Sequence, residues 1–216
     1  MLTHSYRLMI GEGIMYARMS IIWANDNKHL IVGVMNIDQE VRREKEVQEK
    51  LVAANEKAYR DDLTGVRNKG AYTEYVQQLQ QGIDCRTIHD FAILVCDVNG
   101  LKEVNDNLGH IEGDAYIQSA CKLICHAWSH SPVFHIGGDE FVAILQGVDY
   151  QNRDQILQAM RDQITQNSRQ GKVTIATGMS AFDPAADKTV SQVFDRADNL
   201  MYENKALLKQ GKSSVR

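Results

Sequence analysis

Hydrophobic and polar positions divide the chain into three zones, the first of which is rich in predicted strands. Residues 14–24 alternate in the manner of a strand, and residues 29–37 form a second run rich in apolar and β-branched side chains. The turn-forming stretch at 25–28 lies between them, so the pair is predicted to form a β-hairpin. An isolated hairpin is only marginally stable in water. We therefore expect this zone to pack on another surface or to be the remainder of a larger domain.

The second zone, residues 38–60, is rich in charged side chains and contains neither Gly nor Pro, which predicts a helix. An apolar seam at heptad spacing is formed by Ile37, Val47, Leu51, Ala54 and Ala58. Glu40 and Glu44 interrupt the seam near its beginning. Both a coiled coil and a solvated single helix therefore agree with the pattern.

In the third zone, residues 61–216, predicted helices and strands alternate. The predicted helices lie near 69–81, 112–128, 150–167 and 190–209, and the predicted strands lie at 91–98, in a hairpin at 133–145 and at 173–181. This order favours an α/β (α+β) fold with a central mixed sheet surrounded by helices. We predict three parts: a hairpin at 1–37, a helix at 38–60 and a larger domain at 61–216.

Composition and charge exclude several classes of protein. Hydrophobic residues make up 44% and charged residues 24% of the 216, the balance of an ordinary globular protein. The net charge of −4 argues against a nucleic-acid partner, which would require a basic face. The first residues lack the pattern of a signal peptide, and no apolar run is long enough to predict a membrane segment. We therefore expect a cytoplasmic protein.

The four cysteines do not predict a zinc site. Cys121 and Cys125 lie one helical turn apart and could share a metal, but two thiols without a second pair of ligands make a poor site. Small buried residues on one face of a helix are the simpler interpretation. Reduced thiols also agree with a cytoplasmic location.

Acidic residues follow two predicted strands in the third zone. Asp97 ends the apolar run 91–98, where it could bind a metal at a sheet edge or simply cap a helix. In the hairpin, two glycines precede Asp139 and Glu140, and a Gly-Gly turn allows the backbone to approach a phosphate closely. If the two strands are neighbours, Asp97 and Asp139 offer the hard oxygen ligands that Mg²⁺ prefers. That arrangement predicts metal-assisted phosphoryl or nucleotidyl transfer.

Residues 99–114 supply further groups of the kind that a nucleotide needs. Lys102 provides a positive charge for a phosphate, and several carboxylate and amide side chains follow it. A carboxylate together with an amide suits guanine, which presents both donors and an acceptor on one edge.

Four segments resemble, in order and spacing, the GGDEF family of diguanylate cyclases. They read DDLTGVRN at 61–68, DVNGLKEVNDNLGHIEGD at 97–114, GGDEF at 137–141 and ADNLMYENK at 197–205. The resemblance covers roughly residues 58–212 and implies a palm-like, nucleotidyl-cyclase fold. It also implies condensation of two GTP molecules into cyclic di-GMP and two pyrophosphates across a homodimer. The alternative is a catalytically silent member of the family that binds GTP or a partner.

The resemblance implies roles for the acidic residues and for one lysine. Asp97 and Asp139 would hold Mg²⁺, with Mn²⁺ as a substitute, and the Val98 carbonyl would be a third ligand. Asp139 would also act as general base toward the ribose 3′-hydroxyl. Lys102 would stabilise charge on the phosphate, and Glu140 is a further catalytic-site residue whose role stays open.

The resemblance also implies a set of substrate-binding residues. Asn105 and Asp114 would read guanine, with His110 holding the nucleotide nearby, and Lys205 and Lys209 would bind the β- and γ-phosphates. Simpler interpretations exist for some of them. His110 follows a glycine and fits a turn. The two late lysines fit a helix C-terminus, where the dipole favours cations.

Several positions depart from the family pattern. Asn99 stands where many members carry a second Asp, while His135 and Lys69 replace arginines. The segment 128–131 reads Trp-Ser-His-Ser where many members carry an inhibitory Arg-x-x-Asp site, so we expect no inhibition by product there.

The N-terminal zone has a resemblance of its own. The triplet 36–38, Asn-Ile-Asp, resembles the junction between the last strand of a PAS sensor domain and a signalling helix. Because only two strands precede it in the prediction, the resemblance implies a truncated remnant. The helix at 38–60 would then be the lever that dimerises the catalytic domain.

Overall fold

The computed structural model describes residues 2–10, 13–23 and 29–213, without the side chains of 10, 52–55 and 210–213. The chain forms two compact units, Met1–Ala58 and Tyr59–Arg216, called here the N-terminal and C-terminal units. Within the described ranges, no helix combines the length and apolarity needed to cross a bilayer.

The N-terminal unit contains a three-stranded antiparallel sheet. Its strands are β1 (Leu2–Ile10), β2 (Gly13–Trp23) and β3 (Leu30–Asn36), with β2 in the centre. The predicted hairpin corresponds to β2 and β3, whereas β1 was not predicted. The predicted turn at 25–28 lies outside the described residues.

The junction 36–38 fixes the start of helix α1 (Asp38–Ala58) to the central strand. The Asp38 carboxylate accepts a hydrogen bond from the backbone N–H of Tyr16 at 2.6 Å. The backbone N–H of Ile37 donates to the Tyr16 carbonyl at 2.8 Å, and the Ile37 side chain is buried. Arg18 pairs with Glu40 at 3.2 Å, one turn into the helix. The direction in which α1 leaves the sheet is therefore set by several bonds.

The C-terminal unit is built from five strands and six helices among its described residues. In chain order they are β4 (Arg67–Asn68), α2 (Lys69–Asp84), β5 (Ala92–Asn99), α3 (Leu101–Leu108), α4 (His110–Ala127), β6 (Val133–Gly137), β7 (Glu140–Leu145), α5 (Gly147–Gln151), α6 (Arg153–Arg169), β8 (Thr174–Ala181) and α7 (Val190–Ser213). The predicted single helix near 112–128 is preceded by α3, which was not predicted. The predicted helix at 150–167 is divided into α5 and α6.

The strands form one mixed sheet in the order β4-β6-β7-β5-β8. β4 runs parallel to β6, and the other pairs are antiparallel. Strand β5 lies between β7 and β8 and is buried along its whole length. This arrangement confirms the predicted α+β fold with a central mixed sheet surrounded by helices.

Helices cover both faces of the sheet, and β5 contributes alternate side chains to the two cores. One core combines β5 with α4 and α6, and the other combines it with α2 and α7. The side chains of β5 in the first core are Ala92, Leu94, Cys96 and Val98. Those directed to the second are Ile93 and Val95. A strand with no polar face needs such double coverage, which explains its continuous apolar run.

The last helix approaches the sheet more closely than side chains usually permit. A Cβ added to Gly178 in β8 would lie 2.1 Å from the backbone carbonyl oxygen of Ala197 and 2.1 Å from the backbone nitrogen of Met201. In addition, the Asn204 side chain accepts a hydrogen bond from the backbone N–H of Thr177 at 2.9 Å. The backbones of β8 and α7 are therefore in direct contact one turn before Lys205.

Candidate active site

The candidate site begins with Asp97, the last carboxylate on the buried strand β5. Only 6% of this residue is exposed. In the pairing of β5 with β7, Asp97 lies opposite Glu140. The backbone N–H of Val98 donates to the carbonyl of Asp139 at 2.8 Å. This bond brings the turn at 137–140, called here the signature turn, against the end of β5. The predicted juxtaposition of the two strand ends is thus observed.

The charge on Asp97 is met by a lysine from α7. The Lys205 ammonium lies 2.6 Å from the Asp97 carboxylate, and the lysine side chain is 25% exposed. The ammonium donates its hydrogen bond to Asp97 Oδ2, whereas the buried Oδ1 has the ion pair with Lys205 but no hydrogen bond among the described residues. Burial raises the pKa of Asp97, the hydrogen bond and charge of Lys205 lower it, and the neighbouring Asp139 raises it, with a net increase.

Asp139 lies in the turn between β6 and β7. A Cβ added to Gly138 would meet no atom within 4 Å, so this part of the turn is open on its outer side. Glu140 is exposed, and its Oε2 atom lies 3.2 Å from the position of a Cβ on Gly137. Its carboxylate is therefore directed back over the glycines.

A cleft of about 360 Å³ is lined by Asp139 and by Lys205, the partner of Asp97. Among the predicted site residues, its lining contains Val98, Lys102, Asp139, Lys205 and Lys209. Gly100 also lines it and adopts φ +80°, a left-handed conformation that lets the chain turn from β5 directly into α3. Three cations and an acidic strand end at one cleft form an arrangement suited to a polyphosphate with its metal ion.

The residues predicted to read guanine lie on α3 and α4, next to this cleft. Asn105 is half-buried and packs over Gly113, where an added Cβ would lie only 1.8 Å from Asn105 Oδ1. Asp114 and His110 are exposed on the first turns of α4. Gly113 therefore brings the amide of α3 close to the helix that carries Asp114.

A second hollow of about 420 Å³ adjoins the cleft and was not predicted. The two hollows share Asn99, Gly100 and Glu103 in their linings. Lys172 and Tyr116 line the second one, and the Tyr116 hydroxyl donates to the Asn99 carbonyl at 3.1 Å. The hollows together form a continuous depression along the start of α3.

The donor set fits a hard divalent cation that also binds substrate oxygens. In the part of the chain that the structure describes, no three His, Cys, Asp or Glu side chains converge to hold a metal alone. Magnesium, however, is usually held by one or two carboxylates together with phosphate oxygens and water. Asp97, whose buried Oδ1 makes no hydrogen bond beyond its ion pair with Lys205 among the described residues, and Asp139, which lines the cleft, meet that requirement.

Sequence reasoning overlooked three features that support the site. Gly113 and Gly178 permit close approaches, and only their glycine identity could have indicated this. Asp61 was noted only as part of the segment 61–68, and His135 only as a replacement for arginine. The structure joins them, with His135 Nδ1 lying 3.0 Å from Asp61 Oδ1.

Fold and site together define an α+β domain with a mixed sheet and an acidic, lysine-lined cleft of the kind used by nucleotidyl-transferring proteins. The chain belongs to the GGDEF family, since the sequence model described as "Diguanylate cyclase, GGDEF domain" matches residues 58–211. This agrees with the predicted extent of 58–212.

Relatives and solved structures agree with this assignment. Diguanylate cyclase DgcP of Pseudomonas aeruginosa is 29% identical over 156 residues, covering 69% of this chain and 23% of the relative. An uncharacterized membrane protein of Staphylococcus aureus is 23% identical over 168 residues, a match that covers 74% of this chain and 46% of the relative. The chain therefore spans a quarter to a half of the length of these curated relatives.

The similar solved structures are GGDEF domains. The coiled coil and GGDEF domain of DgcB from Caulobacter crescentus, solved in complex with c-di-GMP, has a TM-score of 0.65 at 20% identity and covers 79% of this chain and 92% of its own. Diguanylate cyclase SiaD of Pseudomonas aeruginosa, solved with its activator SiaC, has a TM-score of 0.62 at 22% identity and covers 77% of this chain and 65% of its own. These structures confirm the predicted GGDEF-type fold.

Proposed function

We propose that this protein condenses two GTP molecules into cyclic di-GMP and two pyrophosphates. The observation that carries the proposal is one cleft lined by Asp139, Lys102, Lys205 and Lys209, together with the ion pair that joins Lys205 to Asp97. Family membership supplies the substrate class, and the geometry supplies groups of the required charge.

The chain's own residues have distinct tasks in this proposal. Asp97 and Asp139 hold Mg²⁺, or Mn²⁺ in its place, with the Val98 carbonyl as a further ligand. The bound metal neutralises phosphate charge and orients the triphosphate. Asp139 accepts the proton of the 3′-hydroxyl that attacks the α-phosphate. Lys102 stabilises the negative charge at that phosphate, and the exposed Glu140 remains a catalytic-site residue of open role.

The remaining predicted residues bind the rest of the substrate. Asn105 and Asp114 recognise the guanine edge by hydrogen bonds, and His110 borders the same face. Lys205 and Lys209 bind the β- and γ-phosphates. Lys205 already holds a carboxylate in the structure, so it would have to exchange this partner for the phosphates.

The proposed catalytic unit is a homodimer. A single cleft binds one GTP, so a second copy must bring the other nucleotide for each 3′-hydroxyl to reach an α-phosphate. We propose helix α1 as the dimerising lever, and the N-terminal sheet as a PAS-like remnant that directs it. In the same proposal, segment 128–131 forms no inhibitory site for the product.

Incubation of the purified protein with GTP and Mg²⁺, followed by chromatographic separation of the nucleotides, tests this function. We expect cyclic di-GMP, and we expect Asp139→Ala to lower its rate by about 10²–10⁴-fold, the usual contribution of a general base. Asp162→Ala, an exposed carboxylate on α6, is the matched control and should keep its rate.

The other outcomes separate the rival functions. A GTP-binding module that signals without synthesis would bind GTP with an affinity that Asp97→Ala weakens, yet would form no product at any protein concentration. A mixed cyclic dinucleotide formed in a GTP and ATP mixture would contradict guanine recognition by Asn105 and Asp114.

A further inference from the structure

A histidine on β6, His135, contacts the signature turn. His135 lies on β6, two residues before Gly137, and its side chain is 9% exposed. Its ring stacks flat on Phe141, with centroids 4.5 Å apart and planes at 13°. The orientation of the ring is therefore fixed by packing, and its two nitrogens point in defined directions.

Both ring nitrogens face oxygen atoms. Nδ1 lies 3.0 Å from Asp61 Oδ1, and Nε2 lies 3.3 Å from the carbonyl oxygen of Gly138. A carbonyl and an ionised carboxylate both accept, so a ring nitrogen that carries a hydrogen can donate to the oxygen that it faces. The histidine thus bridges two segments, the loop at 61–66 and the signature turn.

The Asp61 end of this bridge is firmly held. Its Oδ1 atom also accepts hydrogen bonds from the Thr64 hydroxyl at 2.6 Å and from the Thr64 backbone N–H at 2.9 Å. Partial burial alone would raise the pKa of Asp61, but the bonds from Thr64 and His135 together lower it. The backbone of Asp61 is bonded to both Gly65 and Val66. Asp61 is therefore an ionised, well-anchored acceptor.

The other end of the bridge is the Gly137–Gly138 segment, and packing around Gly138 does not fix its conformation. Two consecutive glycines have wide conformational freedom, and no atom lies within 4 Å of a Cβ position on Gly138. The Gly138 carbonyl belongs to the same planar peptide unit as the nitrogen of Asp139. The next peptide unit is held by the bond from Val98 N–H to the Asp139 carbonyl. The backbone of Asp139 is thus held on both sides, by His135 before it and by Val98 after it.

We infer that His135 is a positioning residue that links Asp61 to the Gly138–Asp139 peptide and so holds the Asp139 carboxylate in its cleft. The inference deepens the proposed function and rests on it for its kinetic consequences. The structural consequence, order in the signature turn, does not depend on any activity.

Three variants test the link. His135→Phe keeps an aromatic ring that can stack on Phe141 but removes both ring nitrogens. His135→Arg keeps donors that can face both Asp61 and Gly138. His130→Phe is the matched control, since His130 also contacts a carboxylate, that of Asp149 at 3.3 Å, but is 68% exposed and belongs to a different segment.

The first measurement is hydrogen exchange of the backbone amides at 138–140 by mass spectrometry or NMR. We expect faster exchange there in His135→Phe, recovery toward the wild-type rate in His135→Arg, and no change in His130→Phe. The second measurement is turnover of GTP against Mg²⁺ concentration. We expect His135→Phe to require more Mg²⁺ and to lose about tenfold to a hundredfold in turnover, the range expected for a misplaced reacting group.

The outcomes separate this inference from the proposed function. If the wild-type protein forms no cyclic di-GMP, the proposed function fails, while hydrogen exchange still decides whether His135 orders the turn. Equal exchange and equal Mg²⁺ dependence in His135→Phe and wild type would overturn the inference. If His135→Phe does not fold, His135→Gln takes its place, and a Gln variant with wild-type exchange at 138–140 would overturn the inference equally.

Discussion

At the scale of single residues, the site contains one carboxylate, that of Asp97, whose burial is unfavourable. Asp97 lies almost fully inside the protein, and the charges of Lys205 and Lys209 do not fully offset the loss of water around it. Functional residues often reduce stability in this way, because their position is set by chemistry and not by folding.

The first prediction concerns the effect of that burial on stability. Since burial holds the pKa of folded Asp97 above its ordinary value of 3.8, its contribution to stability is fully present below that pH and is lost as pH rises through the folded pKa. Asp97→Asn should therefore be more stable than wild type at neutral pH, by about 1 kcal/mol, while losing catalytic activity. At pH values where Asp97 is protonated in both the folded and the unfolded state, the two proteins should be equally stable.

Thermal unfolding of both proteins at about pH 2.8, one unit below that ordinary value, and at about pH 8 measures this difference. Asp106→Asn, an exposed carboxylate on α3, is the control and should show no such dependence on pH. A less stable Asn variant at pH 8 would show that the ion pair with Lys205 outweighs burial.

The second prediction concerns Gly113. A methyl group there would displace the Asn105 amide, whose Oδ1 would otherwise lie 1.8 Å from the new Cβ. Because the displaced group is the end of a flexible side chain, stability should change little. Loss of the amide's bond to guanine, worth about 1–1.5 kcal/mol, should raise KM for GTP by about tenfold with a smaller effect on kcat.

A double-mutant cycle with Asn105→Ala measures this coupling. If Gly113→Ala acts through Asn105, it should leave KM unchanged in the Asn105→Ala background. An equal increase in KM in both backgrounds would contradict the role assigned to the close approach.

At the scale of elements, the parts that sequence reasoning predicted correctly are those with a burial signature. Strand β5 was predicted because both of its faces are covered, and the β6–β7 hairpin because two glycines separate apolar runs. Strand β1 was missed because its described side chains are exposed, so no alternation of buried and polar positions marks it. Helix α3 was missed because its Asn, Asp and flanking Gly residues favour loops.

The candidate site was predictable to a similar degree. Asp97 and Asp139 were paired only on the condition that their two strands are neighbours, and the family resemblance supplied Lys205 and Lys209. The connection of His135 to Gly138 could not be predicted, because it depends on the ring plane set by Phe141. The pairing of Lys205 with Asp97 could not be predicted either, because most of the domain's sequence separates the two residues.

The third prediction concerns the contact between β8 and α7. Gly178→Ala places a methyl group 2.1 Å from backbone atoms of Ala197 and Met201, which cannot rotate away. Overpacking of this kind costs about 1–3 kcal/mol, and a shift of α7 would also move Lys205. We expect a lower melting temperature together with a loss of GTP turnover. Gly33→Ala on β3, where a Cβ meets no atom within 4 Å, is the control.

An Ala variant at 178 with wild-type melting temperature and turnover would show that α7 can move outward without consequence for the site. Turnover that falls while stability is retained would still place the effect on Lys205, and a crystal structure of the variant would measure its displacement.

At the scale of the whole molecule, the chain combines a catalytic-type unit with a small unit that exposes much apolar surface. Exposed apolar side chains of the N-terminal sheet include Trp23, Leu30, Ile31, Val32, Val34 and Met35. On α1, Val47 and Leu51 are exposed as well. Exposed apolar patches of this kind usually mark a surface for association.

The fourth prediction concerns association through α1. Leu51 is 54% exposed on the proposed dimerising seam, and a buried aspartate at this position would disfavour a dimer. We expect Leu51→Asp to lower both the dimer fraction in analytical ultracentrifugation and GTP turnover per protein. Gln48→Asp introduces the same charge at an exposed polar position and should leave both unchanged. Intact dimerisation and turnover in Leu51→Asp would exclude α1 as the lever.

The backbone contact at Gly178 has a consequence for how this domain can vary. Strand β8 pairs with β5 along its whole length, and Gly178 lies opposite Val95, two residues before Asp97. The separation of Asp97 and Lys205 is thus determined by two adjoining backbones and hardly by the connection at 182–189. Phe182 and Asp187 in that connection are buried, but residues 184–186 are exposed and can change while the two charges keep their distance, which gives the domain a place to diversify its outer surface.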